Sequence, residues 1–356
     1  MNSQFWRGKS VLITGHTGFK GSWLALWLQG LGARVGGYAL APPTQPSLFE
    51  MAQVGAGMSS LISDVRDPGA LQRCVTDFKP DIIIHMAAQS LVRHSYQHPA
   101  ETYATNVMGT VNVLEAVRSS STTRAVVVVT SDKCYENKEW LWAYRENEPL
   151  GGYDPYSNSK ACAELVVAAY RNSFFNAEAN SPGPALASAR AGNVIGGGDW
   201  AKDRLIADVM SAFLEDRPVR IRSPQAIRPW QHVLEPLNGY LILAEKLWTE
   251  GASYAEAWNF GPDASGTITV SEIMQRLKQQ WHGHAGWVAD SEEHPHEAGC
   301  LKLDCAKAKA RLGWQPRLSL DETLAWIVEW YEAYRAGDDI RRLTEQQINR
   351  YQEIEA

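Results

Sequence analysis

The chain reads as an α/β protein: a doubly wound parallel sheet with a smaller mixed α/β lobe on the substrate side. Ile82–Ile84 and Val126–Val129 are uninterrupted β-branched runs, the pattern of strands buried on both faces. Between such runs lie stripes at helical spacing, such as Val107, Val111, Leu114 and Val117. A glycine triplet, Gly15, Gly18 and Gly21, follows the first apolar run and opens a helical segment. Alternating βαβ units wind right-handed, and their ligands sit beyond the carboxyl ends of the strands.

In chain order, strands are expected at Val11–Thr14, Arg34–Ala39, Ser60–Ser63, Asp81–Met86, Ala125–Ser131 and Ala185–Ala191. After about Gly192 the alternation fades and Pro, Arg and Trp become more frequent. The expected division is 1–192 for the sheet domain and 193–356 mainly for the lobe, with elements near 230–265 returning to the sheet. Gly196-Gly197-Gly198 reads as a flexible turn. Trp258–Gly261 reads as a returning strand, Ser271 as a helix N-cap, and the stretch from about Arg341 as a surface helix.

Composition narrows the function. The 356 residues are 45% hydrophobic and 21% charged, with a net charge of −6. That balance argues against nucleic acid or an anionic membrane as the main partner. No stretch approaches the roughly 20 apolar residues of a membrane span. The opening MNSQFWRGKS lacks the apolar core of a secretion signal. The five cysteines form no C-x-x-C pair, so reduced thiols and a cytoplasmic setting are expected. His294 and His296 near Cys300 and Cys305 fit no common zinc spacing, so no metal is expected.

The chemistry concentrates in three stretches. Gly15, Gly18 and Gly21 aim backbone N–H groups and a helix N-terminus at one point, which suits a pyrophosphate. Trp23 and Trp27 behind them read as core. A ribose-binding acid is expected about 20 residues further on, but Gly37-Tyr38-Ala39-Leu40-Ala41 contains none. These residues therefore leave NAD and NADP open. Asp64 follows the third strand and suits either an adenine amino group or the cap of its own turn. In DPYSNSK, Tyr156 and Lys160 share one helix face. A phenol with a pKa near 10 needs a neighbouring cation to act as a base at neutral pH. Thr130, Ser131, Asp132 and Lys133 end the most apolar strand, at the edge where a nicotinamide would sit. In VRIRSPQAIRPW, Arg220, Arg222 and Arg228 gather near Trp230, and guanidinium forks suit a diphosphate. A solvated strand face is the plainer alternative. His232 is expected to pack locally and Arg190 to be structural.

The stretches TGHTGFKGSWL, HMAAQSLVR, TNVMGT, TSDKCY, GGYDPYSNSK and LGWQP span almost the whole chain. On them it resembles the nucleotide-sugar 4,6-dehydratase group of the extended short-chain dehydrogenases/reductases, which have a Rossmann-type fold. Lys133 stands where most of the group has Glu. That departure, with RPWQHV, most resembles the branch acting on CDP-glucose. The resemblance implies NAD as a recycled hydride carrier, a nucleotide-sugar substrate and a lyase that makes a 4-keto-6-deoxy sugar for deoxysugar biosynthesis. It assigns Tyr156 and Lys160 to oxidation at C4, Ser131 to the 4-oxygen and Asp132 to protonation of the leaving 6-hydroxyl. Lys133 takes the position of the C5 base, as base or as enolate stabiliser. It places Gly15, Thr17, Gly18, Phe19, Lys20, Gly21, Asp64, Ala87, Ala88, Gln89, Asn106 and Thr130 at the cofactor, with Asn106 supporting the Tyr–Lys pair. Asn193 and Arg204 face the substrate. A homo-oligomer is implied, with Leu165, Val166, Val167 and Ala168 and the Val107–Val117 helix forming an intersubunit bundle. A nucleotide-sugar epimerase or reductase would keep the glycines, Tyr156 and Lys160 but needs no acid such as Asp132. A catalytically idle dinucleotide sensor need not keep Tyr156, Lys160 and Asp132 together.

Overall fold

The computed structural model describes residues 1–175, 183–263, 266–283, 286–290 and 300–354. The zinc reading of His294 and His296 falls outside them. The central sheet starts with β1 (Ser10–Thr14), β2 (Arg34–Ala39), β3 (Ser59–Ile62), β4 (Ile82–His85), β5 (Ala125–Val129) and β6 (Ala185–Ala191). With the returning strand Ala257–Phe260, the described residues form a seven-stranded sheet. Its order is Ala257–Phe260, β6, β5, β4, β1, β2, β3, and every pairing is parallel. The order reverses direction beside β1, between β4 and β2. Such a switch point is where doubly wound sheets hold ligands.

The β-branched runs of β4 and β5 are fully buried, as strands covered on both faces must be. One face is covered by the Phe19–Gly30 helix, whose Trp23, Leu24, Trp27 and Leu28 lie in the larger core cluster. The other face packs Val113, Leu114, Val117 and Val167. The Val107–Val117 stripe is shifted in phase. A π-helical turn over Ala104–Met108 precedes the Gly109–Arg118 helix, and Val107 and Val111 are only half-buried.

Several expectations need adjustment. Thr130 and Ser131 lie past the end of β5, in the turn rather than in the strand. Gly196-Gly197-Gly198 is buried and tightly packed. A Cβ on Gly197 would lie 2.0 Å from the Trp330 ring, and the Gly197 carbonyl accepts from Trp23 Nε1 at 3.0 Å. The Val270–Gln280 helix is capped by Thr269, whose hydroxyl accepts from the Glu272 N–H at 3.2 Å, not by Ser271. The C-terminal Ile340–Glu353 helix buries Ile348 and Tyr351 against the main body and packs on the Phe19–Gly30 helix. Among the described residues no helix is long and apolar enough to cross a membrane.

Candidate active site

A cavity of about 950 Å³ opens at the carboxyl ends of β1, β4 and β5. The glycine loop forms one wall. Gly15 adopts φ +81, and a Cβ there would lie 2.8 Å from the Ala87 nitrogen. A Cβ on Gly21 would lie 2.1 Å from the Gly15 carbonyl oxygen. On Gly18 it would meet only that carbonyl, at 3.4 Å, so the loop surface stays open to a phosphate. Thr14 Oγ1 accepts from the N–H groups of Met86 and Ala87 at 3.1 and 3.2 Å, which locks the ends of β1 and β4 together. Thr17, Phe19, Lys20, Ala87, Ala88, Gln89 and Thr130 line the same cavity. These features fit a dinucleotide.

Two predicted cofactor residues have firm partners within the protein. Asp64 lines the cavity, but its carboxylate is held by Arg66, through the backbone N–H at 2.8 Å and an ion pair at 2.6 Å. The Arg66 hydrogen bonds hold its pKa below the usual carboxylate range. The carboxylate thus caps its own turn while lining the cavity. Asn106 lies behind the wall. It accepts from the Gln89 N–H at 2.9 Å and donates to the Gln89 carbonyl at 2.9 Å and to Ser159 Oγ at 2.8 Å. Ser159 Oγ in turn donates to the Tyr156 carbonyl at 2.7 Å, so Asn106 is a positioning residue. The ribose acid is absent, as the residues indicated. The space behind β2 holds His16, whose ring would lie 2.3 Å from a Cβ on Gly37. Its Nε2 meets Ser60 Oγ at 2.7 Å, and burial pushes its pKa down to about 4.

The candidate reacting groups line the same cavity. Asp154 caps the Pro155–Ser173 helix by accepting from the Ser157 N–H at 2.9 Å, and Pro155 occupies its first turn. That start places Tyr156 and Lys160 on the cavity wall. Burial pushes the Tyr156 phenol up to about 12, with Asp132 adding to the rise; the Ser131 hydrogen bond and the Arg204 guanidinium offset part of it. Burial thus opposes a phenolate at Tyr156. Lys160 Nζ donates to the Val129 carbonyl at 3.3 Å, and burial pushes its pKa down to about 8. Asp132 is 1% exposed, accepts from Ser131 Oγ at 3.0 Å through Oδ1, and keeps Oδ2 without a partner. An orphaned buried carboxylate oxygen facing a cavity is a place for a ligand hydroxyl. Lys133 is half-buried and lines the same wall.

The cavity also has a basic part. Asn193, with φ +46, lines it together with Arg204, Arg220, Arg222 and Arg228. Arg204 pairs with Asp199 at 2.9 Å and donates to Ser90 Oγ at 2.7 Å. Arg222 reaches Asp203 at 3.3 Å, and Asp203 also holds Arg93 at 3.1 Å. The arginines therefore border the cavity, with Arg220 exposed on its strand and Arg222 and Arg228 half-buried. His232 is buried, edge-on to Trp23 and Trp326, and Arg190 forms a buried pair with Glu164 at 2.8 Å; both expectations stand. Sequence reading missed Asp199, Asp203 and Gly192. A Cβ on Gly192 would lie 1.7 Å from Asp132 Oδ2, a constraint with no local signature.

A glycine loop at the switch point of a parallel sheet, facing a Tyr-x-x-x-Lys pair in one cavity, defines a dinucleotide-binding enzyme of the extended short-chain dehydrogenase/reductase class. The chain belongs to the GDP-mannose 4,6 dehydratase family, whose model matches residues 12–327. It is 56% identical over 352 residues to the CDP-glucose 4,6-dehydratase of Salmonella typhimurium (strain LT2), covering 99% of this chain and 98% of that one. Two solved structures share the fold. The UDP-glucose 4-epimerase of Thermotoga maritima with UDP-glucose matches with a TM-score of 0.76 at 21% identity, over 91% of this chain and 99% of that one. The dTDP-glucose 4,6-dehydratase of Bacillus anthracis in complex with NAD matches with a TM-score of 0.74 at 21% identity, over 94% of this chain and 100% of that one.

Proposed function

We propose that the chain converts CDP-glucose to CDP-4-keto-6-deoxyglucose and water. The observation that carries this reading is the 56% identity, over nearly the whole of both chains, to a CDP-glucose 4,6-dehydratase. The site supports it. Asp132, buried with a free carboxylate oxygen beside Tyr156, is a group that an epimerase does not need.

NAD bound along the glycine loop supplies a hydride acceptor at C4 that becomes the donor at C6 within one turnover. Tyr156 takes the proton of the 4-hydroxyl, and Ser131 steadies the 4-oxygen. The resulting ketone acidifies C5, and Lys133 removes that proton. Asp132 protonates the 6-hydroxyl as it leaves. Lys160 orders the cofactor side and lowers the cost of the phenolate. Arg220, Arg222 and Arg228 clamp the diphosphate as forked donors, with Arg228 foremost. We assign the substrate side to residues 193–356 apart from the returning segments, a cytoplasmic setting, and a homo-oligomer.

Incubation with NAD and each of CDP-, dTDP-, GDP- and UDP-glucose tests the reading. The expected product, from the cytidine sugar, is a 4-keto-6-deoxy sugar that absorbs near-UV light in alkali. Formation of a 4-epimer, or of no product from any of them, would overturn it.

A further inference from the structure

Lys20 is an unusual occupant of its position. It is the second residue of the Phe19–Gly30 helix, where the positive end of the helix dipole disfavours a cation. No acidic side chain pairs with it among the described residues. Its Nζ instead donates to the Tyr240 hydroxyl at 3.1 Å and lies 5.3 Å from the centre of that ring. Tyr240 is fully buried. Lys20 also lines the cavity, together with Lys160, Arg204 and Asp132.

Lys20, Lys160 and Arg204 thus share this space with Asp132, whose Oδ2 has no partner, while Asp199 is already joined to Arg204. Burial, followed by the Lys160 and Arg204 charges, pushes Lys20 down to about 7, while Asp132 pulls the other way. The same potential meets any further positive charge brought into the space. An oxidised nicotinamide ring carries one positive charge and the reduced ring none.

We propose that Lys20 tunes the bound cofactor: its ammonium, anchored on Tyr240, opposes the cationic oxidised nicotinamide and favours the reduced form. This rests on the dinucleotide reading above. Its consequence for the reaction is direct. Removing hydride from the sugar becomes easier, and the hydride is retained in the site until the dehydrated sugar takes it back.

The test is binding rather than turnover. Dissociation constants for NAD+ and NADH are measured by calorimetry on the full-length protein at constant pH and salt, for wild type, Lys20→Met and Lys20→Arg. Lys20→Met is expected to lower the ratio of the NAD+ to the NADH constant on the order of tenfold, and Lys20→Arg to keep the wild-type ratio. Equal weakening of both forms would overturn the proposal and make Lys20 a pyrophosphate ligand. Unchanged constants would overturn it too. If wild type binds neither nucleotide, the dinucleotide reading itself fails, and the proposal with it. Tyr240→Phe keeps the ring but removes the anchor. It is expected to move the ratio in the same direction by less, which keeps the proposal open to refutation should Lys20→Met not fold.

Discussion

Gly192 shows how narrowly the Asp132 carboxylate is held. It lies directly after β6, and its missing side chain is the space that Asp132 occupies. A methyl group there would sit 1.7 Å from Oδ2 and 2.5 Å from Oδ1, inside any van der Waals limit. Gly192 has no left-handed backbone to protect, so the only demand on it is this contact. Gly192→Ala should fold and bind nucleotide but displace the carboxylate by about an ångström. Misplacement of that size is worth about 100-fold in rate. The expected signature is accumulation of oxidised sugar without loss of water, read by product analysis on quenched samples. Wild-type dehydration in this variant would show that Asp132 is not the acid. The buried network beneath carries the same logic inward. Glu164 accepts from Thr130, Ser188 and Arg190, so the end of β5 is fixed by a charge pair that cannot relax into water.

At the scale of elements, much could be read in advance because two periodicities differ. β-Branched runs of period-free apolarity marked β4 and β5, and the glycine spacing marked the loop between β1 and its helix. The strand ends carried the chemistry, so residues 130–133 and 156–160 were legible as a site before their meeting was visible. What escaped was set by contacts distant in sequence. The Gly192–Asp132 and Lys20–Tyr240 approaches join residues far apart in the chain, and no local pattern encodes them. The π turn before Gly109 also escaped, and it rotated the predicted stripe. The Pro155–Ser173 helix shows a second such correction. Val167, expected on an intersubunit face, is fully buried in the core of its own chain. Its outward apolar residue is Leu165, 59% exposed, and Met108 is 52% exposed. We expect these two to mark the interface between copies. Leu165→Glu should lower the mass measured by light scattering while leaving the circular dichroism unchanged. An unaltered mass would remove this face as the interface.

The whole molecule carries a pH dependence that follows from its buried imidazoles. His16, His85 and His232 are pushed down by burial to about 4, about 3 and about 3, with the Lys160 charge also acting on His85. All three are neutral in the folded chain at pH 7. In the unfolded chain they take up protons near pH 6.5. Below that pH the unfolded state binds more protons, so stability falls as the solution is acidified. Each histidine contributes up to about 1.4 kcal/mol per pH unit between its unfolded and folded values. Asp208, which burial raises to about 6, acts in the opposite sense, because its protonation is easier in the folded state. Glu146 and Glu235, also raised by burial, act in the same sense as Asp208, but the three imidazoles, whose folded values lie at about 4 or below, leave the net slope destabilising between pH 6 and pH 5. The urea midpoint should therefore drop clearly over that interval. His16→Asn, which removes one of the three, should flatten the net slope by more than a third, because the carboxyls already offset part of it. A midpoint that stays constant from pH 7 to pH 5 would mean that the imidazoles reach water in the folded chain. The packing of His16 behind β2 and of His232 between Trp23 and Trp326 would then be looser than the contacts that define this core.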